Sequence, residues 1–294
     1  MKHLILTFIL ITINSLYCAE PLKIDLWPEG PPSSNEITKA ETGKGFYKNV
    51  TQPRIMLYLP EKSTEKTPCV LVIPGGGYGT VCATSEGTPL AHHLNNRGIA
   101  AAVLIYRLPN GHSEVPGDDA RRALRIIRHH AEEWNIDREK CGVWGFSAGG
   151  HLASTVSTIN EAGKLKDDPI ETISAKVNFT ILFYAVISMK NGITHKGSRK
   201  NLTGKEEFNQ KFSNELNVSK STPPAFLLAS SADSVVSYYN SMQYYENLIK
   251  HKVPSHMLLV HTKSHGPKIY RNNPSWEVAL DEWLASINCL PGTK

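Results

Sequence analysis

A serine flanked by glycines, in the sequence GFSAGG, lies at Ser147. A serine that attacks a carbonyl carbon must project from a tight turn between a strand and a helix, where neighbouring side chains would clash. Gly145 and Gly149, two residues before and two after the serine, relieve that crowding. A strand-like run at 141–144 precedes the motif and a helix-like segment at 148–160 follows it. The sequence therefore predicts that Ser147 is a nucleophile; the alternative is a glycine-rich turn with an incidental serine.

A second glycine-rich segment, residues 74–79 (PGGGYG), directly follows an apolar run at 69–73; we call it the glycine loop. Backbone N–H groups stabilise the oxyanion of acyl transfer best where no side chain blocks their approach. In α/β-hydrolases a loop in this place acts together with the N–H of the residue after the nucleophile, here Ala148. The alternative is a phosphate-binding loop, but the segment lacks both the G-K-[ST] ending and the G-x-G-x-x-G spacing.

Serine at neutral pH needs a general base, and the base needs a carboxylate that orients it. In α/β-hydrolases the acid and then the histidine follow the serine along the chain, each after a late strand. Asp233 follows the strand-like run 225–230, and His265 follows the run 256–260. The sequence therefore predicts Asp233 and His265 as the partners of the serine. Three further histidines are weaker candidates for the base: His251, His256 and His261.

Neighbouring histidines raise the question of a metal site. The pairs His92-His93 and His129-His130 lie in predicted helices, where at most one member of each pair faces inward. His261 and His265 are four residues apart, but no helix and no third ligand accompany them, and the sequence has no C-x-x-C pair. We therefore expect neither a metal nor another cofactor.

Strand-like and helix-like segments alternate along the chain. Continuous apolar runs at 69–73 and 100–106 are typical of strands covered on both faces of a parallel sheet. Further strands are predicted at 54–59, 141–144, 177–187, 225–230 and 256–260, and helices at 88–96, 118–134, 148–160, 238–250 and 275–287. This alternation predicts an α/β-hydrolase fold, a doubly wound and mostly parallel sheet with flanking helices.

Two segments fall outside this pattern, and one predicted helix carries a cluster of arginines. The proline- and glycine-rich lead at 26–32 is expected to be extended and to lie over the domain. The polar, poorly periodic stretch 190–222, which we call the polar insertion, is expected to cover the sheet and not to form a separate domain. Within the predicted helix 118–134, three arginines are interpreted as its solvent-exposed face: Arg121, Arg122 and Arg125.

The composition is that of an ordinary globular protein. The 294 residues are 40% hydrophobic and 20% charged, which is enough to bury a full core. The net charge of +5 comes from scattered residues, without a basic stripe or interleaved aromatic side chains. A nucleic-acid partner is therefore not expected.

The first nineteen residues differ from the rest of the chain. Lys2 and His3 precede an apolar run at 4–13, which is too short to span a bilayer comfortably. This pattern predicts a signal peptide at 1–19 in a secreted or periplasmic protein, which leaves 20–294 as the α/β-hydrolase domain. Lipidation of Cys18 is the alternative, but Tyr17 before it is larger than the residue a lipobox requires. No other segment is apolar enough over a sufficient length to cross a membrane.

Four cysteines follow the predicted signal peptide, and in an exported protein they could form two disulfides. Cys69 and Cys141, however, lie in apolar strand-like runs. That position favours buried free thiols that pack as small hydrophobic side chains.

From residue 26 to its end, the sequence resembles the secreted bacterial α/β-hydrolases of the acetylxylan esterase or xylanase-associated type. These are related to the feruloyl-esterase-like carbohydrate esterases. The resemblance rests on seven segments: 26–30 (LWPEG), 74–79 (PGGGYG), 86–87 (EG), 106–109 (YRLP), 145–153 (GFSAGGHLA), 194–202 (THKGSRKNL) and 212–215 (FSNE). It implies removal of acetyl or similar acyl groups from an acylated plant-type polysaccharide or oligosaccharide.

The same resemblance implies roles for individual residues. Ser147, Asp233 and His265 would be the catalytic triad, and Gly76, Gly77 and Ala148 the oxyanion-hole donors. The sequence departs from the family pattern at Ala232, where a second acid is common, and at 264–267, which is SHGP where the family commonly has a G-G-H-G-F pattern. These departures leave the triad intact and bear on the choice of leaving group and acyl group.

Two other functions stay open at this stage. A serine peptidase of the prolyl-oligopeptidase type shares the catalytic domain, but it normally carries a large propeller ahead of that domain, for which the residues before the first strands leave no room. A non-catalytic sugar-binding protein would have no need to keep a serine, an acid and a histidine in the order that catalysis requires. The oligomeric state is not indicated by the sequence.

Overall fold

The computed structural model describes residues 20–61, 64–204 and 210–292. The predicted signal peptide and Cys18 lie outside these ranges. In the described residues the strands are β1 (Leu22–Asp25), β2 (Phe46–Tyr47), β3 (Arg54–Tyr58), β4 (Thr67–Ile73), β5 (Val81–Cys82), β6 (Ala100–Ile105), β7 (Ile136–Phe146), β8 (Thr180–Phe183), β9 (Ala225–Ser230) and β10 (Ser255–Val260). The helices are α1 (Ala83–Glu86), α2 (Thr88–Asn95), α3 (Val115–His129), α4 (Ser147–Thr158), α5 (Lys196–Thr203), α6 (Tyr239–Lys250), α7 (Lys268–Arg271) and α8 (Ser275–Ser286).

Eight of these strands form one sheet in the order β1-β3-β6-β4-β7-β8-β9-β10. The pairs β1–β3 and β3–β6 are antiparallel, and every pair from β6 to β10 is parallel. All residues of β4, β6, β8 and β9 are buried, as expected for strands covered on both faces. The predicted mostly parallel sheet with flanking helices is confirmed.

The boundaries of two strands, β7 and β8, differ from the prediction. Strand β7 begins at Ile136, earlier than the predicted run at 141–144. Its residues 137–140 are polar and partly exposed, so the sequence shows no apolar pattern there. Strand β8 ends at Phe183 although residues 184–189 are buried. There the chain turns toward the end of β7, and the Val186 N–H donates to the Ser147 carbonyl oxygen at 2.9 Å. Continuous apolar sequence therefore overstates the length of this strand.

The expected solvent exposure of three arginines on α3 is wrong. Arg121, Arg122 and Arg125 are each about 3% exposed. The segment between α4 and β8 covers this face of the helix and supplies their partners. Arg121 pairs with Glu161 at 3.0 Å, Arg122 with Asp168 at 2.7 Å, and Arg122 and Arg125 both face Glu171. The helix is buried on two faces, one against apolar groups and one against carboxylates.

The described cysteines Cys69, Cys82, Cys141 and Cys289 are free. Cys69 and Cys141 are buried neighbours in the β4–β7 register, and burial raises the pKa of Cys141 to about 11. The interpretation of these two residues as buried thiols is confirmed. Among the residues with described structure, no helix has the length and apolar character needed to cross a bilayer.

A buried carboxylate joins the amino-terminal lead to the sheet. The side chain of Asp119 on α3 is fully buried. It accepts hydrogen bonds from Trp27 Nε1 at 2.8 Å, from Arg107 Nη2 at 2.7 Å and from the Arg107 backbone N–H at 2.9 Å. Trp27 lies in the lead just after β1, and Arg107 follows β6. One side chain therefore fixes three segments that are distant in sequence.

We expect Asp119→Asn to lower the free energy of unfolding by about 3–5 kcal/mol, because it leaves the buried Arg107 charge without its counterion. The matched control is Asp281→Asn, which weakens the more exposed pair with Arg97 and should cost at most about 1 kcal/mol. Urea unfolding of both variants measures the difference. Equal losses for the two variants would contradict the structural role of Asp119.

Candidate active site

The turn between β7 and α4 holds Ser147 in a backbone conformation that serine rarely adopts. Its φ is 49°, in the left-handed region. A Cβ at Gly145 would lie 2.5 Å from the Gly149 carbonyl oxygen, and a Cβ at Gly149 would lie 2.1 Å from the Ile73 carbonyl oxygen. Neither position has room for a side chain, which is the physical reason for the G-x-S-x-G spacing. The predicted strand–serine–helix turn is present.

Ser147, His265 and Asp233 form one chain of hydrogen bonds. His265 Nε2 lies 3.0 Å from Ser147 Oγ, and His265 Nδ1 lies 2.7 Å from Asp233 Oδ2. A carboxylate oxygen accepts, so His265 carries its proton on Nδ1 and presents the Nε2 lone pair to the serine hydroxyl. This is the tautomer that a general base for Ser147 requires.

Backbone groups hold the carboxylate in place. Asp233 Oδ1 accepts from the N–H groups of Val235 and Val236 at 2.8 and 3.1 Å, which leaves Oδ2 for the imidazole. The Asp233 side chain is 1% exposed. A carboxylate that is buried and held from two sides cannot rotate away from His265, so the imidazole keeps its orientation.

The other candidate histidines for the base lie elsewhere. His251 is bound to the carbonyl oxygen of Asn247, and His256 stacks on Phe226. His261 is exposed and lies 3.0 Å from Ser231 Oγ. None of the three contacts Ser147 in the described chain. The structure brings His265, and not these, to the serine.

The glycine loop lies beside the serine turn and presents free backbone donors. Gly76 and Gly77 have φ values of 124° and 63°, which favour glycine. The Gly76 carbonyl oxygen accepts from the N–H groups of Gly79 and Thr80, so the loop folds back on itself. In this part of the described chain, the N–H groups of Gly76 and Gly77 have no protein acceptor. Ala148, the second residue of α4, has no intrahelical acceptor either. These three N–H groups can bind an oxyanion.

His151 connects α4 to the glycine loop and to the polar insertion. Its Nε2 lies 2.8 Å from the carbonyl oxygen of Phe212, and its Nδ1 lies 2.8 Å from the Tyr78 hydroxyl. Because a carbonyl only accepts, Nε2 carries the proton and Nδ1 accepts from Tyr78. Burial lowers the pKa of His151 to about 4. This histidine is therefore a neutral structural link within the site.

The sequence analysis missed His195 as a site residue. It precedes α5, and its Nδ1 lies 2.8 Å from Ser198 Oγ and accepts from the Ser198 backbone N–H at 3.2 Å. Because that N–H can only donate, the proton of the ring is on Nε2. Its Cε1 would lie 3.9 Å from a Cβ at Gly77. Burial, and next the nearby His265, lower the pKa of His195. Its position in the motif THKGSRKNL is the only sequence signal that could have drawn attention to it.

The polar insertion covers the glycine loop, in agreement with its expected place over the sheet. Asn201 Nδ2 on α5 donates to the Gly77 carbonyl oxygen at 2.8 Å. Elsewhere in the insertion, Asn214 Nδ2 donates to the His151 carbonyl oxygen at 3.1 Å. The segment is therefore held to both sides of the serine turn and forms part of the wall of the site. No group of three or more potential metal ligands is found among the residues that the structure describes.

The chain is similar in sequence to known proteins. The BD-FAE family model matches residues 55–248. An acetylxylan esterase of Xylanibacter ruminicola is 37% identical over 217 residues, which are 70% of this chain and 42% of that protein. The endo-1,4-beta-xylanase B of Butyrivibrio fibrisolvens is 35% identical over 209 residues, 69% of this chain and 32% of that protein. The chain thus spans less than half the length of these two curated relatives.

Solved structures show the same fold. The acetyl ester-xyloside bifunctional hydrolase from Caldicellulosiruptor lactoaceticus superposes with a TM-score of 0.79 at 35% identity, covering 94% of this chain and all of that one. A thermophilic esterase from Thermogutta terrifontis superposes with a TM-score of 0.69 at 23% identity, covering 91% of this chain and 97% of that chain. At that identity the second likeness concerns the fold alone.

We expect the stability of the protein to fall as the pH is lowered from about 6.5 to about 4. Burial lowers the pKa values of His151 and His93 to about 4, whereas an unfolded histidine titrates near 6.5. Between these pH values the unfolded chain binds protons that the folded chain does not. The stability contributed by the two neutral histidines is therefore fully present above pH 6.5 and is lost as the pH falls to about 4. Each histidine contributes a slope of up to about 1.4 kcal/mol per pH unit.

Urea unfolding at several pH values tests this expectation. His151→Gln should be less stable overall and should lose the slope that His151 contributes. His129→Gln, which alters an exposed histidine, should keep the full slope. A free energy of unfolding that is constant between pH 6.5 and 4.5 would contradict the assignment.

Proposed function

We infer that this protein, whose chain belongs to the BD-FAE family, is a hydrolase of carboxylic esters that uses Ser147 as its nucleophile. One observation carries the proposal. The hydrogen-bonded chain from Ser147 through His265 to Asp233 stands beside three backbone N–H groups that have no acceptor among the described residues. A nucleophile, a correctly protonated base, an orienting acid and oxyanion donors are the parts that acyl transfer requires.

The reaction follows from this geometry. His265 Nε2 takes the hydroxyl proton as Ser147 Oγ attacks the ester carbonyl carbon. The carbonyl oxygen becomes negative and is bound by the N–H groups of Gly76, Gly77 and Ala148. The imidazolium, stabilised by Asp233, then gives its proton to the leaving alcohol oxygen, and an acyl-enzyme forms on the serine. Water, activated by the same imidazole, releases the carboxylic acid and restores the hydroxyl.

We propose acetyl groups on xylan-type oligosaccharides or polysaccharides as the substrate. The proposal is supported by the names of two relatives, an acetylxylan esterase and an acetyl ester-xyloside hydrolase. It is also supported by the polar insertion beside the serine, because polar side chains suit a sugar better than a long acyl chain. His195 adds a neutral Nε2–H donor of fixed tautomer next to the glycine loop.

We further propose that the protein is secreted or periplasmic, from the basic start and short apolar run of residues 1–19. The amino-terminal sequence of the protein isolated from its host tests this proposal. A new amino terminus near residue 20 in the periplasm or medium supports export, a lipidated Cys18 supports anchoring, and an intact Met1 in the cytoplasm contradicts both.

Ser147→Ala should reduce kcat by about 10⁶-fold while the protein folds normally, because the nucleophile is lost and only binding and oxyanion stabilisation remain. A fluorophosphonate probe should label the wild-type protein at Ser147 and leave the variant unlabelled. Circular dichroism and thermal melting are the controls for folding. Labelling at a different residue would overturn the assignment.

A comparison of four substrates tests the acyl and alcohol preferences with one preparation: acetylated xylo-oligosaccharide, p-nitrophenyl acetate, p-nitrophenyl palmitate and a prolyl peptide amide. We expect both acetate esters to be cleaved with a higher kcat/KM than the other two. Faster cleavage of the peptide would favour the peptidase alternative, and faster cleavage of the palmitate would favour a lipase. No turnover of any of the four would favour the sugar-binding alternative.

His195→Ala should lower kcat/KM for acetylated xylo-oligosaccharide by about 10-fold, because a fixed donor to the sugar is lost. The same change should affect p-nitrophenyl acetate, which has no sugar, by less than about 3-fold. His195→Gln, which can keep an N–H donor near the same place, should retain more of the sugar ester activity. Equal losses on both esters would show that His195 does not act on the sugar.

A further inference from the structure

Glu86, at the end of α1, is a buried carboxylate that the mechanism above does not use. It is 5% exposed. Its Oε2 accepts from the Gly75 backbone N–H at 2.7 Å, and its Oε1 accepts from the Tyr184 hydroxyl at 3.0 Å. Across the described residues, no lysine or arginine forms an ion pair with it. A carboxylate buried without a cation is costly, so its presence calls for a physical reason.

The carboxylate lies directly behind the reacting groups. A Cβ at Gly75 would be 2.9 Å both from Glu86 Oε2 and from Ser147 Cβ, so these two side chains flank a single point. A Cβ at Gly266, the residue after His265, would be 3.9 Å from Glu86 Oε1. The ring of Tyr184, which donates to Glu86, lies edge-on to the His265 ring with 5.1 Å between centroids. Glu86 therefore stands between the glycine loop and the loop that bears the base.

We propose that Glu86 is a second carboxylate of the site, a positioning residue whose negative charge stabilises the imidazolium that forms when His265 takes the Ser147 proton. The proposal rests on the proposed function in that it assumes this proton transfer. In addition, the hydrogen bond from Gly75 to Glu86 fixes the start of the glycine loop. Asp233 orients the imidazole by direct contact, whereas Glu86 acts through Tyr184 and through space.

The buried charge of Glu86 stabilises the site only when His265 is protonated during the reaction. In the resting state the carboxylate faces a neutral imidazole and gains little from it. When His265 becomes positive, an opposite charge appears near a buried carboxylate, where electrostatic attraction is screened less than in bulk water. An interaction that is stronger in the transition state than in the ground state accelerates the chemical step.

The charged groups around this pair are few. Cys82, Tyr106 and Tyr270 also face Glu86, and burial raises the pKa of each: to about 11 for Cys82, to about 12 for Tyr270 and well above the usual value for Tyr106. These three are neutral at the pH of the assay. Arg271 lies near Tyr184 and Tyr270 but is exposed. Facing His265 are Asp233, Glu86 and His195.

Burial raises the pKa of the Glu86 carboxyl, while the hydrogen bonds from Gly75 and Tyr184 and the nearby His265 oppose that rise. Both carboxylate oxygens accept hydrogen bonds, as expected of the ionised form. The two hydrogen bonds donated to the carboxylate therefore support the ionised form, on which the proposal depends.

Glu86→Gln tests the negative charge separately from the hydrogen bond that fixes the glycine loop. The glutamine carbonyl can still accept from Gly75, and its amide group can meet the Tyr184 hydroxyl, but the charge is removed. We expect kcat for p-nitrophenyl acetate to fall by about 10–100-fold with little change in KM. The acidic limb of the kcat/KM–pH profile should move to lower pH, because the imidazolium is less stable without the carboxylate.

Two further variants complete the design. Glu86→Asp keeps a charge but withdraws it from Gly75, so we expect a lower kcat with the acidic limb unmoved. Glu133→Gln, an exposed glutamate on the protein surface, should leave both quantities unchanged. Thermal melting of each variant shows whether the fold is retained. A Glu86→Gln protein with the kcat and the kcat/KM–pH profile of the wild type would overturn the proposal. A lower kcat without a shift of the acidic limb would also overturn the electrostatic role and leave Glu86 only the hydrogen bond that fixes the glycine loop.

The rate at which a fluorophosphonate modifies Ser147, measured against pH, separates this proposal from the choice of substrate. That reaction needs His265 to take the serine proton, but it needs no ester substrate. If the wild-type protein reacts with the probe but cleaves no ester, the proposed function fails while the shift of the acidic limb in Glu86→Gln still supports the role of Glu86. If the wild-type protein does not react with the probe at Ser147, both proposals fail.

Discussion

The sharp turn at Ser147 is the constraint on which the rest of the site depends. With a φ of 49°, the serine can stand at the end of β7 only if the chain on both sides carries no side chains that would clash. The close approach of Gly149 to the Ile73 carbonyl oxygen then brings the end of β4 against the first turn of α4. The glycine loop starts from that point. The distance between Ser147 and the N–H groups of the glycine loop is therefore set by contacts between backbone atoms, which cannot relax as side chains do.

The parallel sheet brings the remaining groups to the same edge. Residues that follow the carboxyl ends of neighbouring parallel strands meet there, and the glycine loop, Ser147, Asp233 and His265 follow β4, β7, β9 and β10. The last two must reach back across β8. They do so as one unit, because Ser230 Oγ donates to the Thr262 carbonyl oxygen at 2.7 Å and accepts from the Thr262 N–H at 2.9 Å. The loops that carry Asp233 and His265 are thus tied to each other at this edge of the sheet.

The sequence was sufficient for features that depend on local pattern and insufficient for those that depend on what folds over them. The order of strands and helices, the serine turn and the partners Asp233 and His265 could be predicted because each stands beside an apolar run of recognisable period. The arginines of α3 could not, because only the segment between α4 and β8, which has no regular period, covers them. Glu86 and His195 were missed for a related reason: neither directly follows an apolar strand-like run, which is the position that pointed to Asp233 and His265, and their contacts with the site arise only when the loops fold together.

The histidines of the site show why only one of them can act as the base. Each ring is held by a neighbour that can only accept or only donate. The Asp233 carboxylate accepts a hydrogen bond from the Nδ1–H of His265, so that ring presents an unprotonated nitrogen to Ser147. The Phe212 carbonyl oxygen accepts a hydrogen bond from the Nε2–H of His151, and the Ser198 N–H donates to Nδ1 of His195. In both of those rings the nitrogen with a lone pair is already bonded. The base is thus selected by hydrogen-bond partners in the surrounding backbone and side chains, before any difference in basicity between the imidazoles is considered.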